Sequence, residues 1–254
     1  GTTCPYFLAL IQAVALPLPP VEEAVVDHRL FSPLLPEEEA LASKESGEPV
    51  ETATEARVKA LMAELELTVA LKALTSSPGA LVLLDGGFVH FRARAQAAFG
   101  RLAEAVTGGA GVLVGVIEEV SSRLLSEAVG ELWPAVRPFD REVLYGCLMV
   151  GEAFVVESEL GKEEGTGTIF ARFGAHPQPV AFDYLRVQEE EVLNSLGMLR
   201  ALTPANERGV PAPVDLADRY VRLTLAEVEQ LVTAAVPAAL REVFLTAHRA
   251  RRAL

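Results

Sequence analysis

The amino-acid sequence predicts an α/β fold in which helices lie on both faces of a mixed β-sheet. Two observations predict this class. A pair of strand-like apolar segments opens the chain, and further strands then alternate with segments of helical periodicity. Half of the 254 residues are hydrophobic, which is enough for a sizeable core, and the chain shows no internal repeat. We therefore expect a single domain over residues 1–254, with residues 225–254 as a C-terminal helical extension.

The first half of the chain predicts four strands and two helices. Apolar runs predict the strands at 5–18, 80–85 and 111–120, and a further strand is expected at 22–31. Apolar residues at helical spacing predict the helices at 54–74 and 92–106. Residues 32–51 are rich in Pro, Glu and Ser, which is typical of a surface loop.

The second half of the chain predicts three strands and a largely helical end. Residues 121–150 are expected to be mostly helical. Short apolar runs bounded by turn residues predict strands at 152–159, 167–173 and 179–185. Helical spacing predicts helices at 189–202 and from 213 to the end, with a break near Pro237.

Charge and cysteine content argue against several kinds of protein. The chain carries 22 basic and 35 acidic residues, so bulk charge alone does not hold it on DNA or on anionic lipid. Metal ions could still neutralise a local cluster of carboxylates. Cys4 and Cys147 form neither a metal-ligand spacing nor a disulfide framework, which favours a reducing cytoplasm. No apolar run reaches the roughly 18 residues of a membrane span, so we expect no membrane partner.

Asp85 is the first candidate for a functional residue. It ends the strand-like run ALVLLD, and Gly86 and Gly87 follow it directly. In α/β folds, functional sites gather at the carboxyl ends of strands, and glycines permit a sharp turn or a close approach of the backbone. Two interpretations stay open: Asp85 caps the turn that follows, or it holds a metal ion.

The helix before that strand contains two candidate partners, Glu64 and Glu66. On a helical wheel, one narrow apolar stripe is formed by Val58, Met62, Leu65, Val69 and Ala73. Glu66 lies at the edge of this stripe, whereas Glu64 lies on the far face. We therefore expect Glu66 to point toward the sheet and Glu64 to be solvated, although a boundary glutamate can also turn its carboxylate to water.

A third group of candidates lies in the segment RGVPAPVDLADRYVRL at 208–223. Pro213 is well placed for the first turn of a helix. Asp215, near the start of that helix, is explained by the helix dipole. Asp218 lies one turn further in, among apolar neighbours, where it could bind a metal ion or pair with a neighbouring arginine.

Other motifs are absent or carry less weight. The chain has no P-loop, no dinucleotide-binding glycine pattern and no nucleophile elbow, so ATP hydrolysis, dinucleotide redox chemistry and serine hydrolysis lack support. The histidines, which show no metal-ligand spacing, are His28, His90, His176 and His248. The basic residues that could contact a phosphate backbone are Arg92, Arg94, Arg101 and those within 247–254. Most patches of this kind are solvated helix faces.

Five segments together resemble the NurA nucleases in their order and spacing. They are ELEL in the 54–74 helix, then LVLLDGGF, GVLVGVIEEVSSRLL, PVAFDYL and GVPAPVDLADRYVRL. The resemblance extends from about residue 5 to residue 224 and implies an RNase H-like fold. It also implies cleavage of DNA with Mn²⁺, with Mg²⁺ as the alternative ion. As partners it implies a second copy of the chain and HerA, a hexameric ATPase that pumps DNA during end resection.

The resemblance assigns the catalytic and metal-binding roles to three carboxylates. Asp85 matches the strand-end aspartate of the family, and Glu66, or in second place Glu64, matches the glutamate of the preceding helix. Asp218 occupies the position of a histidine in the last motif of the family. Because aspartate also binds hard divalent ions, a metal-binding role stays open to it.

The chain departs from the family at three further points. Val210 replaces a tyrosine of the last motif, and Glu118 stands where the family usually has a lysine. The family also opens with a strand that ends in Asp-Gly-Ser and supplies a further catalytic aspartate. Residues 5–18 resemble the strand after it, so we expect that first strand and its aspartate to precede Gly1 in the full protein.

Three functions follow as alternatives. The first is a Mn²⁺-dependent DNA nuclease, both a single-strand endonuclease and a 5′-to-3′ exonuclease, which acts with a HerA-type ATPase in double-strand break repair. The second is a non-catalytic adaptor of the same fold that docks on that ATPase, which the replaced motif residues motivate. The third is an unrelated α/β domain for binding or scaffolding.

Overall fold

The described residues of the computed structural model are 8–19, 23–32, 50–128, 137–157 and 162–239. The expected surface loop at 32–51 lies almost wholly outside these ranges, and so does the basic segment 247–254. Within the ranges, none of the helices combines the length and the apolar character that crossing a bilayer requires. The single-domain organisation over residues 1–254 stays a prediction.

Seven strands and seven helices make up the described part of the chain. The strands are β1 (Ala9–Ala15), β2 (Val25–Phe31), β3 (Ala80–Asp85), β4 (Gly111–Ile117), β5 (Ala153–Val155), β6 (Thr166–Ala171) and β7 (Val180–Leu185). The helices are α1 (Val50–Ser76), α2 (Phe88–Ala105), α3 (Leu124–Ala128), α4 (Asp140–Val143), α5 (Glu189–Ala201), α6 (Ala212–Val221) and α7 (Leu225–Ala235).

The strands form two sheets. β1 and β2 make an antiparallel hairpin of their own, whereas the larger sheet has the order β3-β4-β7-β6-β5. In the larger sheet β3 and β4 are parallel, and the other neighbouring strands are antiparallel. The predicted α/β class with an RNase H-like mixed sheet is therefore confirmed. β3, which ends at Asp85, is an edge strand of that sheet.

Helices cover both faces of the larger sheet. On one face α1 and α2 pack on buried sheet residues, and this cluster includes Leu67, Leu84, Phe88, Phe99 and Leu113. On the other face α5 and α6 pack on a second cluster, which includes Val116, Phe182, Tyr184, Leu199 and Val214. Asp85 is in register with Val116, and Val116 with Phe182. Because side chains in register emerge on the same face, Asp85 points to the face covered by α6.

The buried side of α1 is wider than the predicted stripe. Met62, which the helical wheel places in that stripe, is 43% exposed. The buried residues of α1 are instead Leu61, Ala63, Leu67, Val69, Ala70 and Leu74. The physical reason is that α1 contacts the β1–β2 hairpin on one side and α2 on the other, so two arcs of the helix are covered.

The structure corrects two predicted helices in the middle of the chain. α2 begins at Phe88 rather than at residue 92, because Gly87 directly precedes its first turn. The prediction that 121–150 is mostly helical is wrong for the described residues, which form only the short helices α3 and α4 there. After α4 the chain continues in turns, and Gly146 adopts a φ of +73° that a helix cannot accommodate.

The predicted C-terminal helix is divided into two. α6 ends at Val221, and α7 starts after Thr224, whose hydroxyl accepts a hydrogen bond from the Glu227 N–H. The Glu227 carboxylate in turn accepts from the Thr224 N–H at 2.7 Å, which completes a capping box. α7 itself ends at Ala235, next to the break that was predicted near Pro237.

Candidate functional site

Asp85 lies at the exposed carboxyl end of β3. No described residue donates a hydrogen bond to its carboxylate. Partial burial raises the pKa of Asp85, and the negative charges of Asp218, Glu118 and Asp215 raise it further, in that order. The guanidinium of Arg208 acts in the opposite direction. The negative charges of Glu118, directly after β4, and of Asp215 and Asp218 on α6 therefore act on the carboxylate at the end of β3.

Two glycines turn the chain directly after Asp85. Gly86 has a φ of +135°, and its N–H donates to a β4 carbonyl at 2.9 Å. A Cβ on Gly87 would lie 2.8 Å from Ile117 Cδ1 and 3.0 Å from Asp183 Oδ2. The first glycine is thus required by the backbone conformation and the second by a close approach. Asp85 does not cap this turn, because the N–H that begins α2 donates to Asp183 instead.

α1 brings Glu66, rather than Glu64, toward Asp85. Burial raises the pKa of Glu66 to about 7, the negative charge of Asp85 contributes in the same direction, and Arg94 opposes both. Glu64 is directed elsewhere, since its carboxylate lies 3.6 Å from the Arg29 guanidinium on β2 and both side chains are nearly half-exposed. The helix periodicity therefore identified the glutamate that lies in the electrostatic field of Asp85.

Asp218 lies on α6, the helix that covers the face to which Asp85 points. As predicted, Pro213 lies in the first turn of this helix. The Asp218 carboxylate accepts a hydrogen bond from Arg222 at 2.6 Å, and both side chains are exposed. Val210 is only 3% exposed and packs in the core beneath α6.

Arg208 joins two further carboxylates near Asp85. Its guanidinium donates to Glu118 at 2.5 Å and also to Asp215. Glu118 directly follows β4, the strand next to β3, and Asp215 lies in the first turn of α6. Because both of these acids also raise the pKa of Asp85, Arg208 neutralises part of one common acidic surface.

The residues around Asp85 have the donor chemistry of a Mn²⁺ or Mg²⁺ site. Both ions prefer carboxylate oxygens. Burial first and charge repulsion second raise the pKa of Asp85 and Glu66, and a bound cation would favour the ionised form of both carboxylates. In the described part of the chain, no three His, Cys, Asp or Glu residues are grouped closely enough to hold an ion. Asp218 would have to leave Arg222 to join the other two carboxylates. The residue types fit the ion.

Asp183 is a buried charge that the sequence patterns did not single out as a site residue. It lies on β7 and is fully buried. Its carboxylate accepts hydrogen bonds from Lys162 Nζ at 2.7 Å, from Thr168 Oγ1 at 2.8 Å and from the Phe88 N–H at 3.1 Å. The strand PVAFDYL did contain a signal, since aspartate is almost never fully buried unless it is paired.

Two of the three described arginines that could contact a phosphate are engaged with other side chains. Arg92 forms an ion pair with Glu163 at 2.5 Å, and Arg94 contacts the ring of His90. Arg101 is exposed. The three side chains thus differ in how easily they could turn to a phosphate.

Comparison with known proteins identifies the family. A protein-family profile described as NurA domain matches residues 2–223 of the 254. No curated protein and no solved structure matches the chain. The matched range includes every strand and helix that surrounds Asp85, from α1 to α6. The chain therefore belongs to the NurA family of nucleases.

Proposed function

We propose that the chain is a DNA nuclease that uses Mn²⁺, with Mg²⁺ as the alternative ion, and that cuts single strands and duplex ends. The observation that carries this proposal is the state of Asp85. Its carboxylate lies exposed at the end of an edge strand, receives no hydrogen bond from any described residue, and is surrounded by further acids. Membership of a nuclease family supports a phosphodiester as the substrate.

In the proposed site, Asp85, Glu66 and Asp218 hold the metal ions. Asp85 is positioned by the end of β3. Glu66 has to lose its proton, which it does near pH 7 in the metal-free protein, and Asp218 has to leave Arg222. Bound divalent ions would supply an activated water and offset the negative charge that develops on the phosphodiester.

The partners of the nuclease are proposed from family membership and from charge. A net charge of −13 gives little general attraction to DNA, so a partner that delivers the strand suits this chain. We propose a HerA-type hexameric ATPase in that role, a homodimer of the chain itself, and a function in end resection during double-strand break repair. The endonuclease and 5′-to-3′ exonuclease activities belong to the same proposal.

A second candidate function is a non-catalytic adaptor that docks on the ATPase. Two observations favour it. Asp218 is engaged with Arg222, and the described residues form no closed metal-ligand group. An adaptor would keep the fold and the partner but cut no DNA.

Cleavage of labelled single-stranded DNA in the presence of Mn²⁺ tests the proposal. We expect the full-length protein to cut, EDTA to stop the reaction, and Asp85→Asn to cut at the background rate. Glu64→Gln is the matched control, because it removes a nearby helix carboxylate that faces Arg29, and it should cut like the parent. Equal cutting by Asp85→Asn would refute the site. If neither the parent nor the variants cut DNA, and the parent binds the ATPase, the adaptor function would be established instead.

A further inference from the structure

The buried carboxylate of Asp183 lies directly beneath the turn that follows Asp85. In the strand register Asp183 pairs with Gly115, and Gly115 with Leu84, so Asp183 emerges on the α2 face while Asp85 emerges on the α6 face. Its Oδ2 accepts the hydrogen bond of the Phe88 N–H at 3.1 Å. A central strand therefore contacts the first residue of α2, three residues after Asp85.

This contact satisfies a backbone group that the fold would otherwise leave unpaired. The first N–H groups of a helix have no partner within the helix, and a carboxylate at a helix start is favoured by the helix dipole. Gly87 carries no side chain that could serve as the cap. Asp183 reaches the helix from the sheet below and takes that role.

Gly87 is adapted to the same carboxylate. Its backbone passes so close to Asp183 Oδ2 and to Ile117 that a Cβ would press on both, at 3.0 Å and 2.8 Å. On the other side of the turn, the Gly86 N–H is held by a β4 carbonyl at 2.9 Å. The turn after Asp85 is thus fixed by β4 at its beginning and by Asp183 at its end.

Two neighbouring charged residues, Lys162 and Glu163, support the contact between Asp183 and Phe88. Lys162 donates to Asp183 Oδ1 at 2.7 Å, and the two side chains are 12% and 1% exposed. The next residue, Glu163, pairs with Arg92 on the second turn of α2 at 2.5 Å. Two consecutive residues just before β6 therefore hold the start of α2, Lys162 through Asp183 and Glu163 through its own ion pair with Arg92.

Stability alone is a poor explanation for this arrangement. Desolvating a buried ion pair costs several kcal/mol per ion, and apolar residues of the same volume often serve the fold as well or better. The carboxylate is instead suited to a geometric task, because it receives a backbone N–H, a hydroxyl and an ammonium group at fixed positions. The position that it defines is the backbone between Asp85 and Phe88.

We propose that Asp183, held by Lys162, is a positioning residue for Asp85, which fixes the turn at residues 86–88 and thereby the direction of the Asp85 carboxylate. This inference rests on the proposed function, since it assigns a role toward the metal that Asp85 would hold. Asp183 itself does not touch the ion or the DNA. It acts through the backbone that it anchors.

The test compares Asp183→Asn with a matched variant of another buried aspartate. Asp140 is also fully buried and accepts the N–H groups of Leu124 and Leu125 at 3.0 Å and 2.9 Å, at the start of α3. We expect Asp183→Asn to weaken Mn²⁺ binding by isothermal titration calorimetry about tenfold or more, the range found when outer partners of metal ligands are lost. We expect Asp140→Asn to lower the stability of the fold without changing Mn²⁺ affinity.

A second variant moves the turn without altering any charge. Gly87→Ala keeps Asp183 and Lys162, but its Cβ pushes against the Asp183 carboxylate. We expect it to weaken Mn²⁺ binding in the same direction, and to lower kcat for DNA cleavage more than it raises KM. Should Asp183→Asn fail to fold, Gly87→Ala and Lys162→Met decide the question. Unchanged Mn²⁺ affinity in folded Asp183→Asn, or in both of these variants, would overturn the proposal.

Hydrogen exchange separates this inference from the proposed function. In metal-free protein, the positioning role predicts that Asp183→Leu, which offers no acceptor to the Phe88 N–H, loses protection at the Phe88 amide, while Asp140→Leu does not. If the parent protein binds no Mn²⁺ and cuts no DNA, the proposed function fails, and this exchange measurement still judges whether Asp183 holds the turn. Retained protection at Phe88 in Asp183→Leu would refute the anchoring contact itself.

Discussion

Replacing Glu66 by glutamine tests the electrostatic cost that the acidic site imposes on the metal-free protein. The pKa of Glu66 is raised from 4.5 to about 7, by burial first and by the negative charge of Asp85 second. Ionising this side chain therefore costs roughly 3 kcal/mol more in the folded protein than in the unfolded chain. Glutamine keeps the shape of the protonated glutamic acid and avoids this cost.

Because the folded protein binds this proton more tightly than the unfolded chain, the effect depends on pH. The stabilising contribution of protonated Glu66 is complete below pH 4.5 and is lost as the pH rises through about 7. At about pH 8 without divalent ions, we expect the free energy of unfolding of Glu66→Gln to exceed that of the parent by up to roughly 3 kcal/mol. At pH 4.5 and below, the two proteins should unfold alike.

Urea unfolding followed by circular dichroism, in EDTA and at a series of pH values, measures this difference. Glu64→Gln is the control, since the exposed pair with Arg29 is worth at most about 1 kcal/mol. Addition of Mn²⁺ should raise the free energy of unfolding of the parent more than that of Glu66→Gln, because the ion neutralises the charge of the glutamate. A Glu66→Gln variant that is no more stable than the parent at about pH 8 would refute the placement of a buried, ionised glutamate beside Asp85.

Three further predictions concern the same site. Gly86→Ala forces an alanine to a φ of +135° and should lower the free energy of unfolding by about 1–3 kcal/mol in urea; an unchanged value would mean that the turn relaxes freely. Arg222→Ala removes an exposed pair and should change stability by less than about 1 kcal/mol, yet it should raise Mn²⁺ affinity in calorimetry by freeing Asp218; an unchanged affinity would argue against Asp218 as a ligand. The Mn²⁺ affinity of the parent should rise as the pH increases through about 7, where Glu66 loses its proton, and that rise should be smaller in Glu66→Gln.

Local sequence patterns were sufficient to predict β3 and the direction of Glu66. The run ALVLLD is continuous, and glycines bound it on both sides, so its ends coincide with the observed strand Ala80–Asp85. Glu66 was separated from Glu64 by the spacing of residues around a helix, which does not depend on the rest of the fold. The apolar stripe of α1 was too narrow, because its true width depends on the hairpin and on α2 packing against the helix.

Long-range pairing could not be predicted from the same patterns. The burial of the Asp183 carboxylate is explained by its hydrogen bonds with Lys162 and with the Phe88 N–H. These partners lie 21 and 95 residues away in the sequence. Arg208 likewise meets Glu118 across 90 residues. Each of these contacts exists only once the strands are in register. The sequence contained the charged residues but not the information on which of them would meet.

Anomalous diffraction from crystals grown with Mn²⁺ would locate the ion without reference to activity. We expect a manganese peak bound by the carboxylates of Asp85 and Glu66, with Asp218 turned away from Arg222 and toward the ion. A crystal without manganese at the end of β3, or with an ion that Asp85 does not touch, would contradict the proposed metal site and favour the adaptor.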